Sequence, residues 1–352
     1  MKDYSVVDNL FVVESPLQAL IALELSLRFK DARNGIVYRF VEGRERNNEQ
    51  IENVISKGEW SFRKKVLFDS SSGLSSHRSI VRELNYFNKT FPESIKQLFI
   101  GEFRAQWMHF MRVAVSPSKT VLIDDGAATL TVKREFIDKG LYYPAMIWEQ
   151  RSFIKRLVKQ HMYSHFLKSS ELQSPLYLAS AFIKAESLYP IDFSFVKELF
   201  KTSTKSAGKK SVFFFGSKYS ESGIVSRVYE LAFLDQVKQF YSSYDSDLVY
   251  CAHRDESHEK LNAIKNILKL NVLVPDTPAE IFLLENSQRI LEVSGAYSSV
   301  LNNAKVLMPE VLVRAFQLAP DEICVKFRAD IEHIYKHFNS EGIGLVSPNP
   351  NY

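Results

Sequence analysis

Short apolar, β-prone runs alternate with helix-compatible stretches along this chain, and the alternation starts afresh after a polar decapeptide. Strands separated by helices predict parallel, doubly wound sheets, so this rhythm limits the fold more than any composition value. In the first series, strands are predicted at Asn9–Glu14, Ile36–Phe40, Lys65–Phe68, Gln97–Gly101 and Lys119–Ile123, with a helix over Ser76–Asn88. In the second, strands at Ser211–Phe215, Asp247–Cys251, Asn271–Val274 and Gln288–Val293 alternate with helices at Ser226–Phe240, His258–Leu268 and Pro278–Asn286. The decapeptide Lys201–Lys210 (KTSTKSAGKK) is poor in apolar residues, contains Gly208 and reads as a linker. A chain of 352 residues also exceeds what one core usually fills. Two α/β domains are expected, residues 1–205 and 206–352, with a cleft between them lined by carboxyl-end loops and the last helix packing back on the first domain.

The first strand–helix junction carries its own punctuation. Ser15 suits an N-cap, Pro16 the first helical position and Gln18 the reciprocal capping position. Leu17, Leu20, Ile21 and Leu25 then supply an apolar face at helical spacing. Ser15 and Gln18 are also candidates to face the cleft, although capping alone accounts for them as well.

Thr120-Val121-Leu122-Ile123 reads as a strand buried on both faces, and it ends in Asp124-Asp125-Gly126. Paired acids there lie where open α/β sheets bind ligands. Like charges so close raise one pKa, which suits a general base. The plainer reading is a turn, since Asp-Gly is a common turn dipeptide.

Composition excludes several classes. A net charge of +4 is too small to point to nucleic acid, but fits an anionic small substrate or a membrane surface. Cys251 and Cys324 stand far apart without a metal-binding grouping, so neither disulfide nor structural zinc is expected. Met1–Asp8 is mostly polar and no run is apolar enough to span a bilayer, so a cytoplasmic protein without a signal peptide is expected. Gln150–Lys168 sets Arg151, Lys155, Arg156 and Lys159 among Phe153, Ile154, Leu157 and Val158. That is either a solvated helix face or a contact for anionic lipid or an anionic glycan.

Three loops of the second half fall at predicted strand ends. Gly216-Ser217-Lys218 follows Phe215, and His253-Arg254-Asp255-Glu256 follows Cys251. Ser294-Gly295-Ala296-Tyr297-Ser298-Ser299 precedes Val300-Leu301-Asn302-Asn303, which opens a helix. Hydroxyls and N–H groups at a helix N-terminus cradle phosphate, and Ser294 and Gly295 would let the backbone approach; simple capping by the serines is the plainer reading. His253 can protonate a departing phosphate oxygen. Arg254 could bind phosphate or pair with Glu256 or Glu259 on a solvated turn.

Taken in order, these segments resemble a known family. Asn9–Glu24 (NLFVVESPLQALIALE), Ile100–Arg104 (IGEFR), Val121–Gly126 (VLIDDG), Phe214–Ser217 (FFGS), Tyr250–Glu256 (YCAHRDE), Ala279–Leu284 (AEIFLL) and Gly295–Leu301 (GAYSSVL) resemble the bacterial sialyltransferases and polysialyltransferases of glycosyltransferase family 52 and its relatives. The resemblance is thin between about residues 130 and 205 and after 310. It implies a GT-B fold, two Rossmann-like domains facing across a cleft. It also implies inverting transfer of a nonulosonic acid from a CMP-sugar to a hydroxyl of a surface glycan such as lipooligosaccharide or capsule, with no metal and no cofactor beyond that co-substrate. By the same resemblance Asp124 is the general base and His253 assists the departing phosphate, while Asp125 is assigned to orienting the acceptor or Asp124 and to shifting the Asp124 pKa by repulsion. Ser298 and Ser299 bind that phosphate, aided by Ser294, Gly295, Gly216, Ser217, Arg254 and Glu280. Ser15, Gln18, Arg104 and Gly126 lie on the acceptor side. Arg254 stands where the family has Pro, which leaves open how the His253 loop is held. Two alternatives stay open: a GT-B transferase using a UDP- or GDP-sugar through Lys218 and Arg254, and a non-catalytic glycan-assembly protein of the same fold. Peripheral contact with an anionic membrane is a further expectation, and no nucleic-acid partner is expected.

Overall fold

The computed structural model describes residues 7–68, 74–144, 153–167, 169–200 and 209–347. The chain divides into two compact units, Met1–Ile191 and Asp192–Tyr352. The expected linker falls almost wholly on residues 201–208, outside the described residues.

In the first unit the strands are β1 Asn9–Val13, β2 Asn34–Phe40, β3 Phe62–Leu67, β4 Gln97–Ile100, β5 Lys119–Ile123, β6 Leu176–Ser180 and β7 Tyr189–Pro190. They form one sheet in the order β3-β2-β1-β4-β5-β6-β7, and every pairing is parallel. β1 is buried at all five positions, as a central strand covered on both faces must be. Phe11 stacks on Phe99 of β4 with ring centroids 4.4 Å apart, which joins the two strands where the strand order reverses. Open sheets bind ligands at that reversal, outside the carboxyl ends of the strands.

In the second unit the strands are β8 Ser211–Phe215, β9 Asp247–Cys251, β10 Asn271–Leu273, β11 Ile290–Gly295, β12 Leu312–Phe316 and β13 Gly344–Val346. Their order, β10-β9-β8-β11-β12-β13, repeats the first unit's sequence of crossovers, again all parallel. The reversal here lies between β8 and β11. The helix Val325–Ser340 buries Ile331, Ile334, Tyr335 and Phe338, and the Tyr335 hydroxyl accepts the Leu318 N–H of its own unit at 3.0 Å.

β5, β8 and β9 have the predicted bounds, and the other predicted strands shift by one to three residues. β3 begins at Phe62 rather than Lys65 because Arg63, Lys64 and Lys65 sit on an outer strand that buries only Phe62 and Val66. β6, β7, β12 and β13 went unpredicted, being short or lying where the pattern is weak. The basic stretch is described as the helix Phe153–Met162 followed by Ser164–Leu167; residues 145–152 and 168 are outside the described residues. Among the described residues no helix is long and apolar enough to cross a membrane.

Candidate functional site

Parallel register sets the candidate residues of the first unit. Val12, Ile100 and Leu122 form one row across β1, β4 and β5. Glu14, Glu102 and Asp124 each follow two residues later, so the alternation of a strand sends three acids past the same sheet end. Asp125 lies one step beyond and half-buried.

Asp124 is 1% exposed. Its Oδ2 accepts the Ala181 N–H at 2.6 Å, while its Oδ1 is buried without a hydrogen bond. Burial pushes this carboxyl up to about 6, against the opposing pull of the Ser180 hydroxyl and the Ala181 N–H. A carboxylate with one oxygen anchored and one unpaired holds a proton close to neutral pH.

Gln18, also 1% exposed, ties the acids together. Its Nε2 donates to Asp125 Oδ1 at 2.7 Å, and its Oε1 accepts the Glu14 N–H at 2.9 Å. Ser15 caps the helix Pro16–Arg28 by accepting the Gln18 N–H at 3.3 Å. Gln18 therefore reaches Asp125 across the sheet as well as serving the junction. Gly101 makes this possible, since a Cβ there would lie 2.2 Å from Gln18 Oε1. Gly126 takes φ +66°, which lets the chain turn directly after the pair.

Glu102 was not among the residues singled out from the sequence. Burial, then the charge of Asp125 and a hydrogen bond with it, push its carboxyl up to about 8. Its Oε1 accepts the Arg104 N–H at 2.7 Å, whereas the Arg104 side chain is exposed. Glu14 Oε2 accepts from Arg39 at 3.2 Å and from the Trp107 indole at 3.4 Å.

The candidate residues of the second unit are organised around His253. The turn after β9 is closed by the Glu256 N–H on the His253 carbonyl at 3.1 Å. Of the two sequence readings of this loop, the solvated turn does not hold at Glu256, which is buried and whose Oε2 accepts the His253 N–H at 2.7 Å. Lys260, with a fully enclosed side chain, pairs with Glu256 at 2.5 Å. Burial alone would lower the Lys260 pKa, but Glu256 and Glu230 outweigh it and hold it up. Lys218 reaches Asp255 at 3.6 Å. Gly216 is fully buried, and a Cβ there would lie 2.0 Å from the Tyr250 hydroxyl; Ser217 beside it is half-buried.

Ser298 is the N-cap of the helix Ser299–Leu307, its Oγ accepting the Val300 N–H at 3.3 Å. Ser298 and Ser299 are both half-buried at that helix start. Gly295 packs against the Phe215 carbonyl, 3.0 Å from where a Cβ would sit. Ser294, by contrast, is fully enclosed and lies beside the Tyr241 hydroxyl, on the strand face it shares with Glu292; its hydroxyl is inside the unit. Glu280 is buried and accepts from Asn303 Nδ2 at 2.8 Å, with Arg254 within electrostatic reach. Cys251 and Cys324 are both free thiols. Among the described residues no three His, Cys, Asp or Glu side chains are grouped to hold a metal ion.

The sequence profile of the alpha-2,8-polysialyltransferase (POLYST) family matches residues 9–313. The chain belongs to this family. It is thus a glycosyltransferase of the sialyltransferase kind, and the family implies a sugar-nucleotide donor and a glycan acceptor. No curated protein sequence matches it significantly. Among solved structures, an alpha/beta-galactoside alpha-2,3-sialyltransferase from Photobacterium phosphoreum aligns at a TM-score of 0.52 and 12% identity, covering 96% of this chain and 97% of that one. A UDP-GlcNAc 2-epimerase from Neisseria meningitidis aligns at 0.51 and 11% identity, covering 97% and 95%. At such identities the likeness speaks for the fold alone, which is GT-B. That one architecture hosts both transferase and epimerase is the expected separation of fold from function.

In this polysialyltransferase-family chain, the candidate residues that sequence reasoning missed are Glu14, Glu102, Glu256 and Lys260. One signal was available: Glu256 and Lys260 stand at i,i+4 spacing. Glu14 and Glu102 stand at predicted strand ends within segments of the resemblance, but nothing local marks one strand end as level with another.

Proposed function

We propose that this chain transfers a nonulosonic acid, sialic acid first among them, from its CMP-activated form to a hydroxyl of a bacterial surface glycan, with inversion. The observation that carries the reading is Asp124, a carboxylate enclosed at a strand end with Oδ2 anchored on Ala181 and Oδ1 unpaired. In a sialyltransferase family such a group is suited to take a proton from an acceptor hydroxyl. The hydroxyl oxygen then bonds to the anomeric carbon while the bond from that carbon to the phosphate oxygen breaks. The electron pair departs with CMP, and the hydroxyl proton rests on Asp124.

Asp125, held by Gln18 and Glu102, orients the acceptor. His253 donates a hydrogen bond to the leaving phosphate, and Ser298, Ser299 and the N–H groups opening their helix receive its oxygens. Gly216, Ser217, Gly295 and Arg254 contribute to the donor pocket, and Glu280 is the candidate partner for the ribose. Ser294 contributes through packing. Since the family is described as forming alpha-2,8 linkages, an oligosialic acid is the first acceptor to try, ahead of other lipooligosaccharide or capsule glycans. We place the reaction on the cytoplasmic side. The helix Phe153–Met162, with Arg156 exposed, supports contact with an anionic membrane; salt-sensitive co-sedimentation with anionic liposomes checks that part, and its absence removes it.

Mass-detected transfer from CMP-sialic acid to oligosialic acid tests the reading. Full activity of Asp124→Ala would overturn the base assignment. Thermal shifts with CMP, UDP and GDP separate the donor classes, because a true donor nucleotide raises the melting temperature. Binding of CMP without turnover on any glycan would favour a non-catalytic role.

A further inference from the structure

Four charged side chains are gathered under the His253 loop. Lys260 Nζ lies 2.5 Å from Glu256 Oε1 and 3.4 Å from Glu221 Oε2, and it also pairs with Glu230. It donates to the Ser217 carbonyl at 2.6 Å. The Lys260 and Glu256 side chains are 0% exposed and that of Glu230 is 1% exposed. Desolvating such groups costs several kcal/mol per ion, and apolar replacements often do as well or better for stability. Stability alone is therefore a poor reason for the arrangement, and its connections give a better one.

Glu256 divides its two oxygens. Oε1 takes Lys260 and the Tyr250 hydroxyl, the latter at 2.6 Å, and Oε2 takes the His253 N–H at 2.7 Å. The Asp255 N–H then donates to His253 Nδ1 at 3.2 Å. A ring nitrogen that accepts an N–H carries its lone pair, so the single proton of the neutral imidazole belongs on Nε2. Through the Ser217 carbonyl, the same ammonium holds the loop that follows β8.

We propose that Lys260 and Glu256 are positioning residues, which fix His253 as an Nε2–H donor and tie the loops after β8 and β9 to one buried charge. They do the work of a proline after His253, where this chain has Arg254. The Nε2–H is the one offered to the leaving phosphate, so the catalytic consequence rests on the function proposed above, whereas the tautomer does not.

Nitrogen-15 NMR of the full-length protein labelled at histidine reads the tautomer directly, with His253 assigned from the signals lost in His253→Gln. The native chain should show a protonated Nε2 and an unprotonated Nδ1. Glu256→Gln keeps the side-chain volume but sets its N–H₂ against either the His253 N–H or the Lys260 ammonium, a donor facing a donor in both cases, so the His253 signals should move toward a tautomer mixture. In the same variant kcat should fall on the order of 100-fold, as for a misplaced catalytic group, with the KM for CMP-sialic acid changed much less. Lys260→Met should act alike, and Lys260→Arg should restore part of the loss. If a single variant fails to fold, the charge-balanced Glu256→Gln, Lys260→Met pair takes its place. A folded Glu256→Gln or paired variant with native His253 signals and native kcat overturns the proposal. Should His253→Gln keep full transfer activity, the phosphate-donor role fails, and the tautomer result alone decides the positioning.

Discussion

The candidate residues of the two units occupy the same place in sheets of the same order, yet they handle charge in opposite ways. Past β1, β4 and β5 the acids crowd together, and Asp124 Oδ1 is left buried without a hydrogen bond. Past β8 and β9 the carboxylates close round Lys260. Both use a glycine to admit a polar side chain: Gly101 for Gln18 and Gly216 for Tyr250. The topology supplies a place for chemistry, and the local charge balance decides whether that place holds a proton or a fixed hydrogen-bond donor. Around Asp124 burial outweighs the surrounding donors and raises the carboxyl, whereas around Lys260 the carboxylates of Glu256 and Glu230 outweigh burial and keep the ammonium charged.

Replacing Asp124 gives the largest expected effect and tests the contrast most severely. Asp124→Asn should reduce transfer by about 10²- to 10⁴-fold, the usual worth of a general base. It should also stabilise the fold. The Asp124 pKa is raised from 3.8 to about 6, so the folded chain keeps a proton that the unfolded chain has already lost. The resulting penalty is absent below the lower value and complete above the higher one, at roughly 3 kcal/mol. Urea denaturation at acidic and at neutral pH should show the variant gaining stability only at neutral pH. An equal effect at both would break the account of this acid.

The paired glycines come next. Gly101→Ala and Gly216→Ala each force a Cβ against a buried polar group, so each should cost on the order of 100-fold in kcat. Overpacking should cost about 1–3 kcal/mol of stability as well. Retention of activity in either would break the parallel between the two units.

A smaller effect sharpens the difference. Because the Glu102 carboxyl is pushed up to about 8, it is protonated at neutral pH, and Glu102→Gln mimics that state. The variant should keep kcat within about threefold at pH 7. It should lose the part of the pH–rate profile that the native chain shows as Glu102 ionises above neutrality. The smallest change is expected at Ser298, where Ser298→Ala removes a helix cap worth roughly 1 kcal/mol and one phosphate contact, raising the donor KM a few-fold.

Much of the framework was legible in the residues. The apolar runs that became β5, β8 and β9 were read with their bounds, because strands buried on both faces leave a continuous signature. Asp124, Asp125, Gly216, His253 and Ser298 are legible as candidates because each stands within two residues of such a run or opens a helix. Glu102 and Glu14 were not, since their meaning comes from standing level with Asp124 across three strands. Glu256 also fits a solvated turn on sequence alone, and only packing reveals that its side chain and that of Lys260 are enclosed. Gln18 reads on sequence either as a capping residue or as an acceptor-side one; its Oε1 takes the Glu14 N–H at the junction while its Nε2 reaches Asp125, 107 positions away.

Local sequence thus settled where strands end and which acids, hydroxyls and imidazole stand at those ends, because backbone preference and apolar patterning act over a few residues. Which partners each of those groups meets and how far each is enclosed were decided by tertiary structure. Electrostatic coupling depends on separation through space and on exclusion of water, and parallel crossovers set both by bringing together residues far apart in the chain.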